Sequence, residues 1–178
     1  MESRGQSDYD RHMVLEGSCQ CGKVRFRCRS ETPYPYMYCY CSICRKLQGA
    51  FGCNVMGERE TLRVSDKRHL AVHHAVMRER GKRATRSSAE RWFCKACGTH
   101  LYVLDDRWPE GVWPNACALD TKLPKSPEIV HILLDSKAAW VPTPGRGPRF
   151  SHYPKLSIAE WHDRKGLRKR RSRRGAES

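Results

Sequence analysis

The sequence lacks any long apolar run, which excludes the helical membrane span that about 20 consecutive apolar residues would form. Its first thirteen residues, MESRGQSDYDRHM, are polar and lack the apolar stretch that a secretory signal requires. We therefore expect a cytoplasmic protein with no membrane partner. In that reducing compartment, closely spaced cysteines are expected to bind metal ions rather than to form disulfides.

Acidic residues are also scarce, with 19 Asp and Glu against 34 Lys and Arg, so the 178-residue chain carries a formal charge of +15. Residues 164–178 hold +7 of this charge, and such a block of like charge predicts a disordered tail. We expect contact with nucleic acid only through this tail. The basic charge on the remainder favours a small anionic substrate.

The length suits one domain, which we place at residues 14–160, between a flexible segment at 1–13 and the basic tail at 161–178. Residues 22–29, GKVRFRCR, alternate basic and apolar side chains, as in a half-buried strand. Helical patterns are few, although a short helix is expected near 158–167 and a long loop around 81–88. The sequence predicts a mainly antiparallel β domain. Its further strand candidates are 37–41, 51–56, 61–64, 70–74, 101–104, 112–119 and 129–134.

Seven of the ten cysteines form three groups, which are Cys19 and Cys21, then Cys39, Cys41 and Cys44, then Cys94 and Cys97. In an extended segment the two side chains of C-x-C lie on one face, and in C-x-x-C-G the glycine can take a positive φ. Two such pairs would supply the four ligands of a closed structural zinc site. Three cysteines would leave one coordination position open for chemistry.

The spacing leaves alternatives open. The Cys19 and Cys21 pair could equally join the group at 39–44, and an iron–sulfur cluster is a further alternative. A redox C-x-x-C would follow a strand in a βαβ pattern, which is missing here. Cys28 and Cys53 fall in predicted strands and are expected to pack in the core. Candidate fourth ligands or bases are His73, His74, His100, His131 and His152, each of which could equally be an ordinary surface or core residue.

Three segments taken together resemble the glutathione-dependent formaldehyde-activating family, which includes the centromere protein V domain. They are GSCQCGKVRF at 17–26, YCYCSICRK at 38–46 and FCKACGTHL at 93–101. The resemblance extends over roughly residues 15–155. It implies a β-tent of several small antiparallel sheets held together by a Cys₄ zinc site, with few short helices.

The resemblance also implies the site residues and the reaction. Cys19, Cys21, Cys94 and Cys97 would hold a structural zinc, and Cys39, Cys41 and Cys44 a catalytic zinc. The implied activity is a carbon–sulfur lyase reaction, S-(hydroxymethyl)glutathione synthesis from formaldehyde and glutathione as co-substrate. Tyr40 stands where the family commonly has His, and a phenol with a pKa near 10 is a poor proton relay at neutral pH. The alternative function is a non-catalytic zinc module whose basic surface engages nucleic acid or a protein partner.

Overall fold

The computed structural model describes residues 12–78 and 81–169. Within them the chain forms mostly short strands and two α-helices. The strands are β1 (Met13–Ser18), β2 (Arg25–Ser30), β3 (Met37–Cys39), β4 (Gly52–Cys53), β5 (Gly57–Glu58), β6 (Arg63–Val64), β7 (Leu70–Met77), β8 (Thr85–Cys94), β9 (His100–Leu104), β10 (Gly111–Pro114) and β11 (Val130–Ile132). The helices are α1 (Ser42–Gln48) and α2 (Ile158–Arg164).

The strands assemble into three small sheets with the orders β1-β2-β6, β5-β10-β9-β8-β7 and β11-β3-β4. Neighbouring strands are antiparallel except β11 and β3, which pair in parallel. The prediction of a mainly β fold with several small antiparallel sheets and few helices is therefore confirmed. None of the helices in the described part of the chain has the length and apolar content that crossing a membrane requires.

Strand β2 shows why the sheets pack face to face. Phe26 and Cys28 are buried, while Arg25, Arg27 and Arg29 are exposed, as the alternation predicts. The buried face joins the larger core cluster, which contains Leu15, Val24, Leu101 and Val112. Cys53 is also buried, as predicted, and burial raises its pKa to about 12. The larger core cluster thus lies between the sheet β1-β2-β6 and the sheet β5-β10-β9-β8-β7.

The predicted loop over 81–88 is wrong from Thr85 onward, because β8 begins there and pairs with β7. The buried positions in this part of β8 are Ser87 and Ala89. Small and hydroxylated side chains give no apolar alternation, so the sequence pattern does not indicate a strand here. His74 of β7 lies with its Nδ1 3.0 Å from the Ser87 carbonyl oxygen across the pair.

Helix α2, which spans residue 160, and the residues that follow it pack against the rest of the described structure. Its capping box uses Ser157 and Glu160, and Trp161 stacks on Tyr36 with ring centroids 3.7 Å apart. Arg168 then pairs with Glu31 at 2.9 Å. Apolar burial and these polar contacts hold the chain against the domain up to residue 169. The rest of the predicted tail, 170–178, and residues 1–11 of the predicted flexible segment lie outside the described residues.

Candidate metal centres

The first candidate centre is a cluster of four thiols formed by Cys19, Cys21, Cys94 and Cys97, whose Sγ atoms all lie within 4.8 Å of one another. The Sγ of Cys21 is 3.5 Å from that of Cys19 and 3.9 Å from that of Cys94, which is 73 residues away. Tetrahedral zinc with four sulfurs at about 2.3 Å requires S–S separations of about 3.8 Å. The spacing and chemistry of these donors therefore fit a zinc ion.

Two tight loops hold the four thiols in place. In the first loop the Cys19 N–H donates to the Val24 carbonyl at 2.9 Å, and the Val24 N–H donates to the Cys19 sulfur at 3.2 Å. In the second, the Cys94 N–H donates to the Thr99 carbonyl at 2.9 Å, and the Gly98 N–H donates to the Cys94 carbonyl at 2.7 Å. Gly98 has a φ of 76°, the conformation expected after C-x-x-C.

Thr99 connects these two loops, a role that the motif spacing did not reveal. Its hydroxyl oxygen accepts a hydrogen bond from the Gln20 N–H at 3.1 Å and lies 3.2 Å from the Cys97 sulfur. The hydrogen bonds from the Thr99 hydroxyl and backbone lower the pKa of Cys97 to about 6. Cys97 is therefore disposed to be a thiolate, the form that binds metal, at neutral pH.

The second candidate centre is a cluster of three thiols whose Sγ atoms also lie within 4.8 Å of one another. Cys39 ends β3, Cys41 is the N-cap of α1, and Cys44 lies in the first turn of that helix. The Cys41 sulfur accepts a hydrogen bond from the Cys44 N–H at 3.3 Å, as an oxygen would at an ordinary N-cap. Residues 42–44 therefore form the start of a helix.

The three thiols differ strongly in pKa. Hydrogen bonds from the thiols of Cys39 and Cys44 lower the pKa of Cys41, aided by the N–H groups of the helix N-terminus. The reciprocal interactions raise the pKa of Cys39 to about 12 and also raise that of Cys44. The cluster alone thus favours one thiolate, whereas a bound cation would stabilise all three. This donor set fits a zinc ion with a further coordination position.

Strand β4 packs directly against the three-thiol cluster. A Cβ on Gly52 would lie 2.7 Å from the Cys44 Cβ and 3.2 Å from its Sγ, so only glycine permits this approach. The Gln48 side chain accepts a hydrogen bond from the Cys53 N–H at 3.0 Å and fixes the end of α1 to β4. The cluster is consequently held by packing on one side and by the helix on the other.

Similarity to known proteins indicates the family of the chain. Residues 14–136 match the sequence model of the family described as "Glutathione-dependent formaldehyde-activating enzyme". The chain belongs to this enzyme family. A Halomonas elongata protein named provisionally as a glutathione-dependent formaldehyde-activating enzyme is 46% identical over 159 residues, which are 87% of this chain and 98% of the relative. A solved Rhodobacter sphaeroides protein is 22% identical with a TM-score of 0.46, over 62% of this chain and 99% of that one.

Tyr40, between the first two cysteines of the three-thiol cluster, is fully buried. Its hydroxyl lies 2.9 Å from Nδ1 of His131, which is also fully buried on β11. Burial, and then the charge of Tyr38, raises the pKa of Tyr40 to about 12, so the phenol stays protonated and can donate this hydrogen bond. Tyr40 is thus placed to position Cys39 and Cys41 rather than to relay protons.

Tyr153, which lies near the three-thiol cluster, and Arg107, which lies near Tyr153, form a rim that motif spacing did not identify. The Tyr153 residue is 71% exposed, yet burial of its hydroxyl and then the charges of the three cysteines raise its pKa. Arg107 forms a bidentate ion pair with Asp105, with Nη2 to Oδ2 at 2.6 Å. The rim therefore combines a protonated phenol with a fixed guanidinium group.

The histidines named as candidate ligands do not join the thiols. Within residues 12–78 and 81–169, neither thiol cluster includes a histidine. His100 is buried on β9, and its ring nitrogens have no hydrogen-bond partner among the described residues. Burial, and then the charge of Arg91, lowers the pKa of His100 to about 4. His100 is therefore a neutral core residue at physiological pH.

Proposed function

We propose that this enzyme condenses formaldehyde with glutathione to form S-(hydroxymethyl)glutathione, a zinc-dependent reaction of the carbon–sulfur lyase class. The observation that carries the proposal is the division of seven cysteines into a closed set of four and an open set of three. Family membership and the name of the Halomonas elongata relative support the choice of substrates. We assign the four-thiol cluster to a structural zinc and the three-thiol cluster to a catalytic zinc.

When bound to the three thiols, zinc would supply a Lewis acid and stabilise a substrate thiolate. Cys39, Cys41 and Cys44 hold the ion and leave the fourth position to substrate. The glutathione sulfur forms a bond to the carbonyl carbon of formaldehyde as the C=O π pair moves onto oxygen. The proton lost by the thiol balances the one gained by that oxygen, so the reaction needs no oxidant or reductant.

Residues at the rim suit this chemistry. Tyr153 stays protonated at neutral pH because its pKa is raised, so its phenol can donate a hydrogen bond to an oxygen that gains charge. Arg107 carries a fixed positive charge near this phenol and lowers the pKa of Tyr153 in opposition to the thiols. The formal charge of +15 on the chain favours the approach of glutathione, which carries a net negative charge.

The test is a formaldehyde–glutathione exchange measurement by NMR, with the zinc-loaded protein, its Cys44→Ser variant and a matched Cys117→Ser control. Cys117 is exposed and lies outside both thiol clusters. We expect acceleration by the wild type and by Cys117→Ser, and none by Cys44→Ser. Metal analysis should find two zinc ions per chain in the first two proteins and one in the third.

A zinc-loaded wild type that leaves the exchange at its uncatalysed rate would refute the proposed reaction. Circular dichroism and thermal unfolding of Cys44→Ser show whether its loss of activity comes with loss of fold. A folded Cys44→Ser protein that retains full activity would refute the catalytic role of the three-thiol cluster.

A further inference from the structure

A cleft of about 560 Å³ opens beside the sheet β1-β2-β6, and none of the cysteines of the two clusters lines it. This volume is within the range of about 300–1,000 Å³ that is usual for small-molecule sites. Charged side chains dominate its lining, with arginines from β2 and β6 and carboxylates from β1 and the chain after β10. They are Arg25, Arg27, Arg63, Glu16 and Asp120.

Two arginines of the cleft lie opposite each other on neighbouring strands. Arg27 of β2 is directly opposite Arg63 of β6, and like charges opposite each other across a strand pair are unfavourable. Within residues 12–78 and 81–169, neither of them nor Arg25 has a carboxylate oxygen within ion-pair distance. Other arginines of the protein are paired, as Arg107 is with Asp105 and Arg168 with Glu31.

The sheet holds these groups in fixed positions. Nη1 of Arg63 donates to the carbonyl oxygens of Glu60 at 2.8 Å and Leu62 at 2.9 Å. The Arg25 N–H donates to the Ser65 hydroxyl at 3.1 Å, and the Ser65 N–H returns a bond to the Arg25 carbonyl at 2.9 Å. Arg25 and Arg63 therefore belong to an ordered surface, so a ligand that binds there does not have to order the backbone.

The carboxylates lie beside the arginines in the lining of the cleft. Glu16 is in register with Arg27, and the Asp120 N–H donates to the Glu16 carbonyl at 2.8 Å, which brings the two acidic residues together. In the described part of the chain, neither Glu16 nor Asp120 forms an ion pair. Separated charges of both signs, three positive and two negative, are complementary to a zwitterion that has more carboxylates than amines.

We propose that this cleft is a second, non-catalytic site for a zwitterionic peptide with two carboxylates and one ammonium group, and that the peptide is glutathione. The choice of glutathione rests on the proposed function; the charge requirement rests on the cleft alone. The arginines receive the carboxylates, and Glu16 and Asp120 receive the ammonium group. Because no cluster cysteine lines the cleft, it binds glutathione by its charged ends and tolerates a substituent on sulfur.

The experiment uses S-methylglutathione, whose thioether cannot supply a thiolate to a metal, and measures its binding to the zinc-loaded full chain by calorimetry. We expect Arg27→Gln to weaken binding at least about tenfold, the effect of losing one charged hydrogen bond. Asp120→Asn should weaken it severalfold. The matched control is Arg29→Gln, on the same exposed face of β2 but outside the cleft lining, and it should bind as the wild type does.

Three outcomes would overturn the proposal. Equal weakening by Arg27→Gln and Arg29→Gln would show general charge attraction. Loss of binding in Cys44→Ser would place the peptide at the three-thiol cluster. Inorganic phosphate that displaces the probe equally well from wild type and Asp120→Asn would show a simple anion site. Arg27→Gln removes a like-charge neighbour of Arg63 and an opposite-charge neighbour of Glu16, so its thermal stability should change little. Unchanged thermal stability then confirms that weaker binding is not caused by unfolding.

The same measurement separates this proposal from the proposed reaction. If the enzyme fails to accelerate the exchange of formaldehyde with glutathione but binds S-methylglutathione through Arg27 and Asp120, the cleft assignment stands and the reaction falls. If exchange is accelerated and no binding depends on Arg27, the reaction stands and the cleft assignment falls.

Discussion

The two thiol clusters are built in opposite ways. The four-thiol cluster joins loops 73 residues apart in sequence, between β1 and β2 and between β8 and β9. The three-thiol cluster comes from the single segment 39–44, shaped by the end of β3 and the N-terminus of α1. In the first cluster Cys19 and Cys94 are buried, whereas all three members of the second are partly exposed.

This difference supports the proposed division into a structural site and a catalytic site. A metal that joins distant loops offsets the entropy of closing a long stretch of chain, so its binding energy becomes folding energy. A metal bound by a locally shaped segment contributes little to folding and can keep a coordination position for substrate. We therefore expect the loss of one ligand to have very different consequences in the two clusters.

The largest effect is expected from Cys94→Ser, at a sulfur that is fully buried. Loss of this ligand should remove one zinc and cost several kcal/mol of stability, because structural zinc sites contribute about 10–16 kcal/mol of apparent binding energy in small domains. Thermal unfolding by circular dichroism, with metal analysis, measures both. Cys44→Ser is the matched comparison and should lose one zinc yet unfold cooperatively within a few degrees of the wild type.

A Cys94→Ser protein as stable as Cys44→Ser would contradict this division of roles. Equal and large destabilisation of both variants would also contradict it, since the three-thiol cluster would then be a second structural site.

The next effect concerns pH and His100, which lies on β9 just after the loop of Cys97. Its pKa in the folded protein is about 4, below the ordinary value of 6.5, so the unfolded chain binds more protons between these values. Stability is complete above about pH 6.5 and falls as the pH is lowered toward about 4, by on the order of 3 kcal/mol. Urea unfolding at a series of pH values should show a shallower decline in His100→Gln than in the wild type. Identical slopes would assign the acid sensitivity to other groups, such as the buried His131 and His162, whose pKa values burial also lowers.

The sequence could predict what depends on local spacing. The alternation of β2 placed Phe26 inside and Arg27 outside because side chains of a strand alternate between its faces. The C-x-C and C-x-x-C spacings limited each cysteine group to a single metal. Spacing could not decide which groups meet, because that depends on how the sheets bring Cys21 beside Cys94.

The remaining site features arise from tertiary contacts without a local pattern. Tyr153 comes more than a hundred residues after Cys44, and Arg107 approaches the same rim from the end of β9. The partner of Tyr40 is His131 on β11, which reaches β3 through a parallel pairing. Helix α1 was not predicted, because the residue that caps it is Cys41, whose sulfur takes a role that sequence statistics assign to oxygen.

Tyr40→Phe tests whether the hydrogen bond between Tyr40 and His131 stabilises the three-thiol cluster. Removal of the hydroxyl leaves Nδ1 of buried His131 without its donor, which should cost about 1–3 kcal/mol. Zinc should be lost from the three-thiol cluster at a lower chelator concentration, while the four-thiol site is unchanged. Tyr38→Phe is the control, since Tyr38 stacks on Phe51 at 4.2 Å, and its stability should stay within about 0.5 kcal/mol of wild type. Equal weakening of both zinc sites would mean that Tyr40 supports the whole fold.

The smallest effect is expected at Thr99, where a substitution should affect the four-thiol cluster and leave the three-thiol cluster unchanged. Thr99→Val keeps the shape but removes the hydroxyl that accepts from the Gln20 N–H and bonds the Cys97 sulfur, so stability should fall by about 1 kcal/mol. The pKa of Cys97 should rise, because the Thr99 hydroxyl is the largest cause of its lowering. Zinc release to a chelator should therefore become severalfold faster from this cluster and stay constant at the three-thiol cluster. The control is Thr99→Ser, which retains the hydroxyl and should release zinc as the wild type does. Equal rates of zinc release from the Val and Ser variants would show that the connection between the two loops depends on the backbone alone.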